Sequence, residues 1–115
     1  MTLLEETIAV IQSEGGSVDE VKWVGSSDGT YAISWDEFCE IAKINYDDGY
    51  GGQEIAEDLV VVGTNWWMTR GEYDGSEWWE FHTKPKIGKK PKKFTKVKVK
   101  GWGWSYLHNM NTEED

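Results

Sequence analysis

The sequence predicts an α+β fold in which two short N-terminal helices, with a hairpin between them, pack on a C-terminal antiparallel β-meander. Three observations lead there. Residues 2–14 and 34–44 each open on a capping-box spacing and continue as an apolar stripe of helical period. From residue 58 onward, β-prone runs alternate with Gly- and Asp-rich turns. A length of 115 residues suits one hydrophobic core, placed over residues 1–112, with Glu113-Glu114-Asp115 as an acidic tail.

Thr2 and Glu5 set the first capping box. Leu4, Ile8 and Ile11 share a face and Gly15-Gly16 supplies the stop, so a helix is expected over about 3–14. Val21–Val24 and Thr30–Ile33 flank the turn-rich Gly25-Ser26-Ser27-Asp28-Gly29 and read as a hairpin. Ser34 and Glu37 repeat the capping box, with Phe38, Ile41 and Ala42 as a narrow stripe, which predicts a helix over 35–44. Asn45–Glu54 holds three Gly and two Tyr, a composition suited to a loop rather than a regular element. Four strands follow: Leu59–Val62, Asn65–Arg70, Glu77–Thr83 and Phe94–Lys100. The first of these reads either as an apolar edge open to a second copy or as an interior strand. Lys84–Lys93, with Pro85, Gly88, Pro91 and self-repelling lysines, is expected as a mobile loop.

Asp74-Gly75 suits the centre of a type I′ turn. Arg70 then faces Trp79 and Met68 faces Phe81. Trp66, Met68, Arg70, Trp79 and Phe81 share one face; Trp67, Thr69, Gly71, Trp78, Glu80 and His82 share the other. A slip of one residue would exchange the two.

The hydrophobic fraction is 38%, but eight Trp give a few side chains a large burial capacity. The net charge of −9 divides sharply. Residues 1–83 carry 18 acids against Lys22, Lys43 and Arg70, whereas residues 84–112 carry nine Lys and no acid. No apolar run approaches the ~18 residues of a membrane span, and the acidic start lacks the positive region of a secretory signal. A cytoplasmic, membrane-free protein is expected. Cys39, the lone thiol, agrees with a reducing compartment and reads as a small buried hydrophobe.

Machinery for catalysis is not legible. Cys39, His82 and His108 are too few and too scattered for structural zinc. The carboxylates of Asp47, Asp48 and Glu54 lack the alternate spacing of a calcium loop, and no phosphate-cradling Gly-rich motif joins a strand to a helix. Among 21 acids a hydrolytic pair such as Glu72 and Glu80 cannot be told from solvated surface. No enzyme and no cofactor are expected.

The segments Asn45-Tyr46-Asp47-Asp48-Gly49-Tyr50-Gly51-Gly52-Gln53-Glu54-Ile55 and Glu72-Tyr73-Asp74-Gly75-Ser76-Glu77-Trp78-Trp79-Glu80-Phe81 resemble those of small acidic Trp-rich proteins of bacteriophages and prophages. The resemblance implies a context: short phage products of this kind often inhibit host proteins or host defences. It implies no residue's role. The lysine run departs from a uniformly acidic nucleic-acid mimic.

The leading expectation is a non-enzymatic, phage-type inhibitor. Asp47, Asp48, Tyr50, Glu54, Glu57 and Asp58 would dock it on a basic surface of a host or defence protein. The alternative is a nucleotide or single-stranded nucleic-acid binder. In it Trp67 and Trp78 form a stacking platform and Lys96, Lys98 and Lys100 contact phosphates. Against these stand plainer readings: the helices cover one sheet face and Trp102 and Trp104 the other, so that all the indoles are core, and the lysines either protect a solvated edge strand or lean against the acidic first half. The sequence leaves the oligomeric state open.

Overall fold

The computed structural model of the chain describes residues 1–47, 49, 51–99, 101 and 106–111. The chain divides into two compact units, Met1–Lys84 and Pro85–Asp115. The first is α+β. Helix α1 (Leu3–Ser13) leads through a 3-10 turn (Val18–Glu20) to strands β1 (Trp23–Ser26) and β2 (Ala32–Ile33). Helix α2 (Trp35–Ile41) follows, then strands β3 (Leu59–Val62), β4 (Trp66–Tyr73) and β5 (Ser76–Thr83). The second unit contains helix α3 (Leu107–Asn111).

The strands make one antiparallel sheet of order β2-β1-β3-β4-β5. The first hairpin is therefore not a separate layer beneath the meander. Its strand β1 pairs with β3 over its whole length, from Trp23 opposite Val62 to Ser26 opposite Leu59. That makes the apolar run Leu59–Val62 the central strand, with Val60 and Val61 buried. The hairpin also starts later than expected. Gly25 and Ser26, which read as turn residues, complete β1, because the missing Cβ of Gly25 leaves room for the Trp23 ring. The Ser26 hydroxyl donates to Asp28 at 2.7 Å and accepts the Tyr31 N–H at 3.0 Å, closing the turn one step further on.

Both capping boxes form. Thr2 Oγ1 accepts the Glu5 N–H at 3.1 Å while the Glu5 carboxylate accepts the Thr2 N–H at 2.7 Å; Ser34 and Glu37 do the same. The next N–H groups of α1 lack intrahelical partners. Leu3 N donates to Ile44 O and Leu4 N to Ala42 O, each at 2.9 Å, and Asn45 bridges to Thr2. Helix α2 stops at Ile41 rather than 44, and the carbonyls of Ala42 and Ile44 beyond it accept the α1 N–H groups.

The Asp74-Gly75 turn has positive φ at both centres, 52° and 89°, as type I′ requires. The register is the one this turn predicts, with Arg70 opposite Trp79 and Met68 opposite Phe81. Met68, Trp66, Trp79 and Arg70 are buried with Val24 and Val61, against Leu3 and Ile11 of α1 and Phe38 and Ala42 at α2. Truncating a buried aromatic of this kind to Ala typically costs about 3–5 kcal/mol. Ile41, expected in the same stripe, is instead exposed. The helix turns 100° per residue, and the contacts beneath it are used by Phe38 and Ala42.

The expected fourth meander strand is not formed, since residues 94–99 carry no strand. Their alternation fits a strand, but the backbone groups are engaged elsewhere in the second unit. Asn111 Oδ1 accepts the N–H groups of Thr95 and Lys96 and its Nδ2 donates to Lys96 O, at 3.0, 3.0 and 3.1 Å. Trp102 and Trp104 lie outside the described residues.

A Cβ on Gly75 would lie 2.5 Å from the carbonyl oxygen of Gly51, at a φ that L residues disfavour. Gly75→Ala is expected to lower unfolding free energy by about 1–3 kcal/mol. A urea midpoint lowered by this loss divided by the slope m, with m unchanged, checks it.

Candidate protein-binding site

The site is built around a buried cation. Arg70 points inward from β4, its side chain fully enclosed. Its Nη2 donates to Glu77 Oε1 at 2.9 Å and to the Tyr46 hydroxyl oxygen at 3.1 Å, and its Nη1 meets Glu6 Oε1 at 3.2 Å. The guanidinium also lies over the Trp79 ring, 4.8 Å from its centroid. Burial opposes its charge, but the hydrogen bonds with Tyr46 and Glu77 outweigh burial and raise its pKa further. Among the described residues its Nε–H has no partner.

Glu77 faces inward from β5 and is likewise enclosed. Besides Arg70 it accepts the backbone N–H groups of Glu54 at 2.7 Å and Ile55 at 3.2 Å. Tyr46 donates to both oxygens of Glu6, at 2.7 and 2.8 Å. Trp79 Nε1 donates to Thr7 Oγ1 at 2.9 Å, which in turn donates to Leu3 O at 2.6 Å. One network thus joins α1, β4, β5 and both ends of the Gly-rich loop.

The loop, fastened from beneath, turns its described acids outward. Glu54, Glu57 and Asp58 are exposed and have no ion-pair partner among the described residues. Asp47 is also exposed; its carboxylate accepts the Gly49 N–H at 3.0 Å and its own N–H donates to Glu54 Oε2 at 3.2 Å. Asp48 and Tyr50 lie outside the described residues.

Next to this loop is an apolar groove of about 530 Å³. The buried side chains of Leu3, Val24, Phe38, Ala42 and Ile55 form its floor. Tyr31, Ile41 and Ile44 stand at its rim, and Glu54 and Asp58 supply its acids. Neither Arg70, Glu77, Tyr46 nor Glu6 lines it, so the buried network positions the site without opening into it.

Trp67 and Trp78 share the opposite, half-exposed sheet face. They are not adjacent: Trp67 pairs with His82 and Trp78 with Gly71, about 13 Å apart along the strands at 3.3 Å per residue. Trp67 stacks on His82, with centroids 5.5 Å apart, while Trp78 lies over Gly71, where a Cβ would strike its ring. Thr69 and the exposed carboxylate of Glu80 occupy the interval. Lys96 and Lys98 are exposed in the second unit, and Lys100 lies outside the described residues. The Cys39 thiol is partly buried; burial, then the charge of Asp36, pushes its pKa up, away from a reactive thiolate. No three His, Cys, Asp or Glu side chains group as a metal site, and no helix is long and apolar enough to cross a membrane, among the described residues.

Glu77, Tyr31, Ile41 and Ile44 were not legible as site residues. For Glu77 a signal existed: strand alternation puts it on the face of Trp79 and Phe81, and Arg70 lies on that same face, so two opposite charges point into the core. For Tyr31, Ile41 and Ile44 there was none, since only the packing shows which apolar side chains lack a neighbour. Neither a family model, nor a curated protein, nor a solved structure matches this chain.

Burial, followed by the hydrogen bond to Glu6, pushes the Tyr46 phenol from 10 up to about 12. The folded state therefore holds the neutral phenol. The stability this supplies is complete below pH 10 and is lost as pH rises through about 12. The difference in tyrosinate absorbance between the wild type and Tyr46→Phe is expected to titrate near pH 12 rather than near 10.

Proposed function

We propose that the chain is a non-enzymatic interaction protein that docks its acidic loop on a basic surface of a partner protein. The observation that carries this reading is the contrast within the loop. Its backbone is tied to an enclosed carboxylate at Glu54 and Ile55, while Glu54, Glu57 and Asp58 face solvent without an ion-pair partner among the described residues. Carboxylates held by a fixed backbone lose little conformational freedom on binding, which favours affinity. An excess of 15 negative charges over residues 1–83 steers a basic partner toward them and accelerates encounter. The resemblance to phage products makes a host or defence protein the expected partner and the host cytoplasm the place of action.

Glu57 and Asp58 make no side-chain hydrogen bond among the described residues, so Glu57→Lys with Asp58→Lys leaves the fold intact. Capture from bacterial lysate is expected to retain a discrete protein on the wild type, to fall severalfold on the double variant, and to fade between about 0.1 and 1 M salt as the Debye length shortens from ~10 to ~3 Å. Capture that ignores both the reversal and the salt would contradict the proposal.

A further inference from the structure

The acidic loop borders a groove that the described residues of the first unit leave unfilled. Its floor is the buried core surface of Leu3, Val24, Phe38, Ala42 and Ile55. Its rim carries three large apolar side chains in water: Tyr31 at 75% exposure, Ile41 at 64% and Ile44 at 47%. No Lys, Arg or His lines it, whereas Glu54 and Asp58 do. Among the described residues of the first unit, the site thus joins an uncovered apolar surface to a negative edge with no ion-pair partner.

We infer that the groove receives a basic amphipathic helix of the partner protein, with apolar side chains inserted and Lys or Arg meeting Glu54 and Asp58. The inference rests on the interaction reading above and specifies what the partner presents. Volume and charge support it. A cavity of about 150 Å³ is what a single large aliphatic side chain leaves behind, so about 530 Å³ takes about three. Side chains spaced i, i+3 and i+4 on a helix deliver that number to one groove. An acidic partner or an acyl carboxylate would meet the carboxylates with like charge and be rejected.

The test uses three synthetic peptides of equal length and equal helix-forming design: one with a Leu face flanked by Lys, one with Ser replacing every Leu, and one with Glu replacing every Lys. Each is titrated into the full-length protein and followed by amide chemical shifts. The Leu/Lys peptide is expected to shift Tyr31, Ile41, Ile44 and Ala56. The Ser/Lys peptide is expected to bind at least tenfold more weakly, and the Leu/Glu peptide not at all. Ile41→Ser with Ile44→Ser, both exposed and outside the core, should weaken the Leu/Lys peptide about tenfold without changing its salt dependence.

Equal binding of the Leu/Lys and Ser/Lys peptides, both lost on Glu57→Lys with Asp58→Lys, would overturn the groove and leave the acidic docking surface standing. No response to either Lys peptide would overturn both. Shifts confined to the Trp67 and Trp78 face would also overturn the groove.

Discussion

A guanidinium under a sheet has to be neutralised where it lies, and the fold is arranged around that requirement. Arg70 meets it with Glu77, Glu6, the Tyr46 hydroxyl and the Trp79 ring. These come from three parts of the chain: Glu6 from α1, Tyr46 from the loop, and Glu77 and Trp79 from β5. Removing one partner of a buried pair typically costs about 3–5 kcal/mol, yet a well-packed apolar substitute for the whole pair can be as stable. Stability alone therefore does not account for the arrangement. Its distinctive effect is to specify geometry: the register of β4 and β5, the seat of α1, and the path of the loop that Glu77 fastens at Glu54 and Ile55.

The same arrangement divides the molecule's polar groups into two kinds. Acids that hold structure point inward or toward a cap, as Glu77, Glu6, Glu5 and Glu37 do. Glu20 belongs with them: the hydrogen bond from Trp66 Nε1, at 2.9 Å, and that from Ser17 hold its carboxyl below the usual range. After Tyr46 the acids lie at the surface: Asp47 and Glu54 accept only N–H groups of the loop itself, Glu57 and Asp58 make no side-chain hydrogen bond among the described residues, and Glu54 and Asp58 border the groove. The half-exposed indoles on the far face lie well apart, with a carboxylate in the interval between them.

Much of this was legible because local rules decide it. Thr2 with Glu5 and Ser34 with Glu37 mark helix starts that form as capping boxes, and Asp74-Gly75 permits only one hairpin register, which sets the buried face. What escaped depends on tertiary competition. Leu59–Val62 could be assigned to an edge or to the interior until β1 was seen to pair with it. Phe94–Lys100 has strand alternation, but Asn111 engages its backbone. Ile41 has the chemistry of a core residue and the position of a rim residue. In the site, Asp47, Glu54, Glu57 and Asp58 were readable as outward acids from composition and turn chemistry, whereas the groove beside them is a property of packing that no local pattern encodes.

The central claim is that enclosed Glu77 holds the acidic loop in one conformation. Amide hydrogen exchange measures this directly. In the wild type the Glu54 and Ile55 amides are predicted to exchange far more slowly than those of Gly51 and Gly52, which donate no hydrogen bond among the described residues. Glu77→Gln, which keeps the size but only one acceptor oxygen, should remove protection from at least one of the two while β3 and β4 keep theirs. Glu54 and Ile55 amides exchanging as fast as Gly51 and Gly52 in the wild type, or protection indifferent to Glu77→Gln, would contradict the account.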